Sequence, residues 1–365
     1  MEPYDVRDLL TLLTIPRVGP IRLRALLERF QDPARILAAA PRELARVRGI
    51  DRATAVLIAR ASPENSFVTS QLCRLKSMGA DLIPYWDPRY PPLLGRIYDP
   101  PSVLFVLGEL TGADHEAVAV IGTRRPSIYG ARVTADLARG LVEHSLTVVS
   151  GLARGIDTVA HAAALDAGGR TIAVLGSGLD VAYPPENAGL QRRIAAGGAV
   201  ISEFMMGTKP DATNFPRRNR VVSGLSLGAV VVESGLDGGA MITAASALDQ
   251  NREVFAVPGS ILDARSTGPH ALIRDGRAKL ISGIDDILVE LRLDRPNAVA
   301  ASPLPMPALT LFEKTVVDAL GTDPTHIDAI AETTGLGPAD TLVALLGLEF
   351  KGLVRQMPGK WFVTT

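Results

Sequence analysis

The sequence has very few cysteines and no long apolar run. Cys73 is the one cysteine among 365 residues, so no internal disulfide can form. The longest apolar strings, such as 117–121, are far shorter than the roughly 18 residues that a membrane span needs. The first ten residues, MEPYDVRDLL, lack the basic segment that precedes the apolar part of a secretory signal. These absences predict a cytoplasmic protein that does not cross a membrane.

An excess of charge of either sign is also lacking. The sequence has 38 Lys and Arg against 39 Asp and Glu, a formal net charge of -1. Any site for nucleic acid or another anion must therefore be a local cluster of basic residues. Six of the basic residues are lysine and 32 are arginine, whose planar guanidinium forms forked hydrogen bonds with phosphate. A GC-rich genome would give the same bias, so composition leaves both explanations open.

The N-terminal segment, residues 1–78, has the pattern of a small all-α domain with several short helices. Two of its turns, Pro16-Arg17-Val18-Gly19-Pro20 and Val47-Arg48-Gly49-Ile50-Asp51, place a glycine just before a helix. Such paired turns resemble helix-hairpin-helix or SAM-like modules, in which the glycine lets backbone N–H groups approach phosphate. A packing or protein-contact module fits the mild charge of the segment somewhat better than direct DNA contact.

Residues 79–292 alternate apolar, β-branched runs with helical stretches, which predicts a Rossmann-like, mostly parallel sheet covered by helices on both faces. The strands are predicted at 117–121, 147–149, 171–175, 199–201, 229–232 and 254–257, with an extra edge element at about 90–105. The fold class is therefore α/β.

The C-terminal part begins with a proline-rich linker at 293–308. Residues 309–365 then show three helices and a hairpin, the pattern of a winged-helix domain. This domain has four basic side chains against seven acidic ones, whereas a module that reads duplex DNA is normally basic. Its charge favours a protein-contact or regulatory role.

Glycine, serine and arginine follow the predicted strands, at the edge where ligands bind in an open α/β sheet. The first two of these turns are Gly122-Thr123-Arg124-Arg125 and Ser150-Gly151. Helices that start there direct free N–H groups at the same crevice, so the expected ligand is an anion. No G-x-G-x-x-G follows the first of these strands, and G-x-x-x-x-G-K-[ST] is absent from the sequence. We therefore expect no NAD or ATP cofactor.

The densest basic motif is 214–220, Asn-Phe-Pro-Arg-Arg-Asn-Arg. Guanidinium groups grip successive phosphates while an aromatic ring stacks on an unpaired base, a combination that suits single strands. The alternative is a helix start with solvated arginines. Arg124 and Arg125 in a neighbouring turn favour binding.

No arrangement of side chains predicts catalysis or metal binding. Ser150, Asp157 and His161 superficially offer a triad, but Ser150 is not in a G-x-S-x-G elbow and an apolar helix follows His161. The five histidines and one cysteine lack metal-ligand spacing. We expect no catalytic residue and no metal.

Several motifs in register over about 90–280 closely resemble the DNA-processing protein A (DprA/Smf) family. They are Gly122-Thr123-Arg124, Tyr129-Gly130, 149–157 with His161, 171–176, Gly178-Leu179-Asp180, Tyr183-Pro184, Ser202-Glu203, 215–220, Gly224-Leu225-Ser226, Glu233, Thr243-Ala244 and Pro258-Gly259. The resemblance implies a homodimeric protein that binds and shields single-stranded DNA during natural transformation and helps load RecA, without covalent chemistry. The DNA contacts that it implies are Gly122, Thr123, Arg124, Ser150, Gly151, Phe215, Arg217, Arg218 and Asn219.

Two features qualify the resemblance. Gly268-Pro269-His270, Leu272-Ile273 and Gly276-Arg277 depart from the family pattern, which puts an inherited role for 268–277 in doubt. Glu233 with Gly238-Gly239 and Thr243 faintly resembles the nucleotide phosphoribohydrolases, enzymes that cleave N-glycosidic bonds. Ala240-Met241-Ile242 occupies the place of the further acidic residue that such an enzyme needs. This enzyme is the alternative hypothesis.

Overall fold

A computed structural model describes residues 4–293, 309–320, 325–351, 353–357 and 359–364. The chain divides into two compact units, Met1–Asp294 and Arg295–Thr365. Of the predicted linker 293–308, all but residue 293 lies outside the described residues.

The first unit opens with short helices, as the sequence predicts. They are α1 (Val6–Thr14), α2 (Pro20–Phe30), α3 (Pro33–Ala38), α4 (Pro41–Leu44), α5 (Arg52–Ala59) and α6 (Ser66–Met78). Side chains of Asp5, Asp32, Asp51 and Asn65 accept a backbone N–H at the start of α1, α3, α5 and α6, which fixes where these helices begin. The buried leucines of this region share one hydrophobic core with Phe105 of the sheet, so the helices pack directly on it.

A nine-stranded sheet follows, with helices in its connections. Its elements are β1 (Asp81–Pro84), α7 (Pro92–Gly95), β2 (Val103–Gly108), β3 (Ala117–Ile121), α8 (Ile128–Glu143), β4 (Thr147–Ser150), α9 (Ile156–Asp166), β5 (Thr171–Leu175), α10 (Ala188–Gly197), β6 (Ala199–Ser202), α11 (Asn214–Gly224), β7 (Gly228–Val231), α12 (Gly239–Asp249), β8 (Glu253–Ala256), α13 (Thr267–Arg274), β9 (Lys279–Leu280) and α14 (Ile284–Glu290). Short 3₁₀ turns lie at Gly112–His115, Pro185–Asn187 and Ala264–Ser266.

The strand order is β1-β2-β6-β5-β4-β3-β7-β8-β9. Strands β3 to β9 pair in parallel, whereas β2 pairs antiparallel with both β1 and β6. All five residues of β3 are buried, as expected of a central parallel strand with helices on both faces. The predicted fold class is confirmed. The extra element predicted at about 90–105 falls on α7 and the start of β2, but β2 lies between β1 and β6, so the strand at that edge is β1.

The chain changes direction across the sheet at β3. It runs outward from β3 through β4 and β5 to β6, and then returns to place β7 on the other side of β3. Loops at the carboxyl ends of β3 and β7 therefore diverge and leave a crevice between them, the usual ligand site of such a sheet.

The second unit has the predicted winged-helix elements. They are α15 (Leu311–Ala319), β10 (Thr325–His326), α16 (Ile327–Thr334), α17 (Pro338–Phe350), β11 (Val354–Met357) and β12 (Trp361–Thr364). The strands form an antiparallel sheet in the order β10-β12-β11, and Phe362 packs with Val316, Ile330 and Leu345 in a small core.

None of the helices in the described ranges combines the length and the apolar composition that crossing a bilayer requires. Those same ranges hold no group of three or more His, Cys, Asp or Glu side chains placed to bind a metal ion.

Candidate functional site

A cavity of about 480 Å³, the central cavity, lies in the crevice beyond β3, β4 and β7. Its lining includes Gly122 to Arg125 after β3, Gly151 and Ala153 after β4, and Ser234 and Gly235 after β7. The first turns of α11 and α12 complete it. The predicted edge of the sheet is therefore where the structure has a cavity.

Helix α11 supplies an aromatic and a basic side chain to the central cavity, in addition to the arginines after β3. Phe215, Arg218 and Asn219 follow a helical spacing of three and four residues, which places them on one face, toward the cavity. The Phe215 ring rests on Gly176, where a β-carbon would lie 2.9 Å from its Cδ1 atom. The same ring also contacts two other side chains: its centroid is 5.5 Å from the guanidinium carbon of Arg124 and 5.8 Å from the ring centroid of Tyr183.

Arg218 is 6% exposed and holds its guanidinium at the bottom of the cavity. Its Nη1 atom donates to the carbonyl of Val174 at 2.8 Å. Burial lowers the pKa of Arg218, and the nearby Asp157 carboxylate opposes that shift. The guanidinium is thus fixed in position before any ligand arrives.

Asp157 organises the turn after β4. Its Oδ2 atom accepts the backbone N–H groups of Gly151 at 3.1 Å and Ala153 at 3.2 Å. Burial raises the pKa of this carboxyl, whereas Arg218 and the backbone donors lower it. Arg124 and Arg125 lie at the rim of the cavity as exposed cations.

Two helices begin at the central cavity without a side-chain cap. Gly238, Gly239 and Ala240, at the start of α12, line it. At the start of α9, Gly155 has φ +80°. A β-carbon on Gly155 would lie 2.3 Å from the carbonyl oxygen of Thr123, so the absence of a side chain lets the turn after β3 pack closely against the start of α9. The exposed N–H groups and the positive end of the α12 dipole favour an anion.

The structure brings together seven of the nine predicted site residues. Those that line the central cavity are Gly122, Thr123, Arg124, Gly151, Phe215, Arg218 and Asn219.

Ser150 and Arg217, the other two predicted residues, do not line this cavity. Ser150 is fully buried, and its hydroxyl donates to the carbonyl of Val120 at 2.6 Å. The side chains of Arg217 and Arg218 point in directions about 100° apart around the axis of α11, because consecutive residues of an α-helix are rotated by that angle. Arg217 lies 5.1 Å over the Phe204 ring and lines a different cavity.

Sequence reasoning missed Asp157 as the group that orders the Gly151 turn, and Tyr183 as the partner of Phe215. Tyr183 is distant from Phe215 along the chain, so no spacing signals the contact. Asp157 had a signal, since a carboxylate in the first turn of a helix accepts backbone N–H groups.

Segment 268–277, which departs from the family pattern, forms most of α13. The N–H of Gly268 donates to the carbonyl of Ser234 at 2.9 Å, next to the central cavity. The segment therefore supports the loop after β7 through its backbone.

The Ser150, Asp157 and His161 side chains do not form a relay. His161 is fully buried and its Nδ1 atom lies 2.7 Å from the Thr171 hydroxyl, while Ser150 bonds to Val120. Burial lowers the pKa of His161 to about 3.

Glu233, the acid of the alternative enzyme, faces a neighbouring cavity that Tyr129 and Pro258 also line. Its carboxylate accepts the backbone N–H of Ser127 at 2.9 Å and also the Ser127 hydroxyl. The carboxylate therefore belongs to the start of α8 rather than to the central cavity.

Comparison with protein families gives matches along most of the chain. The model for DNA recombination-mediator protein A matches residues 81–292, that of the DprA winged helix domain 300–360, and that of the SAM-like helix-hairpin-helix tandem 9–61. Protein Smf of Escherichia coli (strain K12) is 41% identical over 299 residues, which are 80% of this chain and 79% of that protein.

The fold is also similar to solved structures of DNA-processing proteins. The X-ray structure of DNA processing protein A (DprA) from Streptococcus pneumoniae has a TM-score of 0.69 and 35% identity, and the match covers 79% of this chain and 99% of that one. DNA processing protein A from Helicobacter pylori, described for its single-stranded DNA binding mode, has a TM-score of 0.53 and 30% identity over 59% of this chain and 96% of that one.

Proposed function

Because the chain belongs to the DNA recombination-mediator protein A (DprA/Smf) family, we propose that its central cavity binds single-stranded DNA. The observation that carries the proposal is the convergence of Arg124, Arg125 and Arg218 on one cavity that also contains Phe215 and the uncapped start of α12. A phosphate in this cavity would meet guanidinium groups and backbone N–H donors together.

The arrangement favours an unpaired strand over a duplex. Phe215 lies inside the cavity, between Arg124 and Tyr183, where a base reaches it only when that base is neither paired nor stacked in a helix. The cavity volume of about 480 Å³ suits a group the size of one or two nucleotides and excludes a double helix. The contacts are with backbone and ring faces, so little sequence preference is expected.

We propose further that the bound strand is delivered to the recombinase RecA, as in natural transformation, and that the protein acts as a homodimer in the cytoplasm. The match to a recombination-mediator family over 81–292 supports this role. No covalent step is part of the proposal, because the geometry of Ser150, His161 and Glu233 offers none at the cavity.

The predicted division into domains at 1–78, 79–292 and 309–365, joined by 293–308, is also a proposal. Separate family models that match within 9–61, 81–292 and 300–360 support it. In this scheme the central domain holds the strand.

A comparison of strands tests the proposal. Fluorescence anisotropy with labelled oligothymidine and with a duplex of the same length is expected to give clearly tighter binding of the single strand. Equal affinity for the duplex, or no binding of oligothymidine, would contradict it. Arg193→Ala is a matched control for arginine variants, since Arg193 is exposed, pairs with Asp166 and lines neither cavity described here.

A further inference from the structure

A second cavity, of about 470 Å³, lies in the first unit on the other side of α11. Its lining includes Arg217, the turn Val18 to Pro20, Phe67 of α6 and the segment Glu203 to Thr208 after β6. The N-terminal helices and the sheet therefore enclose it together. The proposed function, as described for the central cavity, makes no use of it.

Two residues that line the second cavity each have a buried side-chain oxygen without a hydrogen-bond partner among the described residues. These atoms are Ser102 Oγ and Glu203 Oε1. The other carboxylate oxygen of Glu203 accepts from Arg220 Nη2 at 2.6 Å. Buried polar atoms normally have partners, so two such atoms on residues that line one cavity point to a ligand with hydrogen-bonding groups.

The remaining lining suits a flat ring joined to an anion. Phe67, Phe204 and Met205 provide apolar and aromatic contact, and Phe67 is 48% exposed. The Arg217 side chain is 56% exposed, and its Nη2 atom is 3.8 Å from Glu203 Oε2, beyond hydrogen-bond length. Its donors can therefore turn toward a phosphate.

The turn Val18 to Pro20 presents the N–H of Gly19 to this cavity, because Pro20 has no N–H and that of Val18 donates to the carbonyl of Ile15 at 3.1 Å. Helix α2 begins at Pro20 after Gly19, without a side-chain cap, and a β-carbon on Gly19 would meet nothing within 4 Å. A phosphate can therefore approach this helix start closely.

The two cavities are adjacent along the protein. Arg217 and Arg218 are consecutive on α11 but point into different cavities, so the helix forms the ridge between them. Exposed Lys209 directly follows Thr208, a lining residue of the second cavity. Basic groups thus mark a route from Arg124 across α11 to Arg217.

We propose that a single strand bound in the central cavity continues over α11 and inserts one of its bases into the second cavity. This inference rests on the proposed function. The base lies against Phe67, an N–H on its edge donates to Glu203 Oε1, and its phosphate contacts Arg217. Each of the four bases carries at least one N–H donor on its pairing edge, so the second cavity needs no particular sequence.

A length series tests this inference on the full chain. Oligothymidines from about 4 to about 20 nucleotides span the range from one occupied cavity to two. For the wild type, affinity is expected to rise in a step once the strand reaches the second cavity. Phe67→Ala and Arg217→Ala should each lower the affinity for long strands about tenfold and leave the affinity for the shortest strands unchanged.

Control variants separate this result from damage to the fold. Tyr98→Ala and Arg193→Ala alter exposed residues outside both cavities and should match the wild type at every length. Arg124→Ala should weaken short and long strands alike.

The two proposals fail in different ways. If Phe67→Ala and Arg217→Ala bind long strands as tightly as the wild type, or lose affinity equally at every length, the proposal for the second cavity is wrong. The proposal for the central cavity would still stand. No binding of any oligothymidine by the wild type would overturn both.

Discussion

Arg218 lies directly against the backbone of Gly151: a β-carbon on Gly151 would be 1.7 Å from Arg218 Nη1. The contact joins the turn after β4 to α11 across the central cavity. Since Nη1 also donates to Val174 and the side chain is buried, the guanidinium has little room to move away. The residue at position 151 therefore decides where this arginine sits.

Gly151→Ala should displace Arg218 and destabilise the chain. Overpacking of a filled site costs about 1–3 kcal/mol, and the lost arginine position should also weaken oligothymidine binding. Urea unfolding and anisotropy measure the two effects. Gly235→Ala is the matched control, because Gly235 lines the same cavity and a β-carbon there meets nothing within 4 Å. Equal behaviour of the two variants would contradict the account.

His161 should make folding sensitive to acid. Burial lowers its pKa from an ordinary value of 6.5 to about 3, so the folded state binds this proton less readily than the unfolded state. Its stabilising contribution is complete above pH 6.5 and is lost as pH falls toward 3, by about 1.4 kcal/mol per pH unit.

Urea unfolding of the wild type and of His161→Gln between pH 7 and pH 4 measures this contribution. The difference between their free energies of unfolding isolates the histidine, because the other titrating groups are the same in both proteins. The free energy of unfolding of the wild type should fall more steeply. Parallel pH profiles would show that the histidine does not titrate in this way.

The winged-helix unit should not contribute to DNA affinity. Helix α17 exposes Leu342, Val343 and Leu346, and its sequence has no basic residue. A chain that ends at residue 293 should therefore bind oligothymidine as tightly as the full chain. A marked loss of affinity on truncation would assign DNA contact to this unit.

The phosphoribohydrolase alternative makes an opposite prediction at Glu233. Its carboxylate is bound to Ser127 and faces away from the central cavity, so the wild type should release no free base from a nucleoside monophosphate. Base release that Glu233→Gln abolishes would establish the enzyme instead; chromatography of the products decides between them.

The sequence predicted the parallel sheet and its ligand edge because apolar, β-branched runs and glycine turns are local signals. It could not separate Arg217 from Arg218, because a cluster of arginines says nothing about which side of a helix each one faces. Nor could it show that the hydroxyl of Ser150, the last residue of β4, turns inward to the carbonyl of Val120. A strand as short as β9, which has two residues, is too short to show the alternation of apolar residues by which a strand is predicted.

Salt dependence of oligothymidine binding tests the central claim, that Arg124 and its neighbours in the central cavity neutralise strand phosphates. Between about 50 and 200 mM salt, the logarithm of the association constant should fall by roughly 0.7 per phosphate neutralised for each unit of log salt. Arg124→Ala is expected to make that slope shallower by about 0.7, while Arg193→Ala leaves it unchanged. A slope in Arg124→Ala equal to that of the wild type would contradict the assignment of the strand to this cavity.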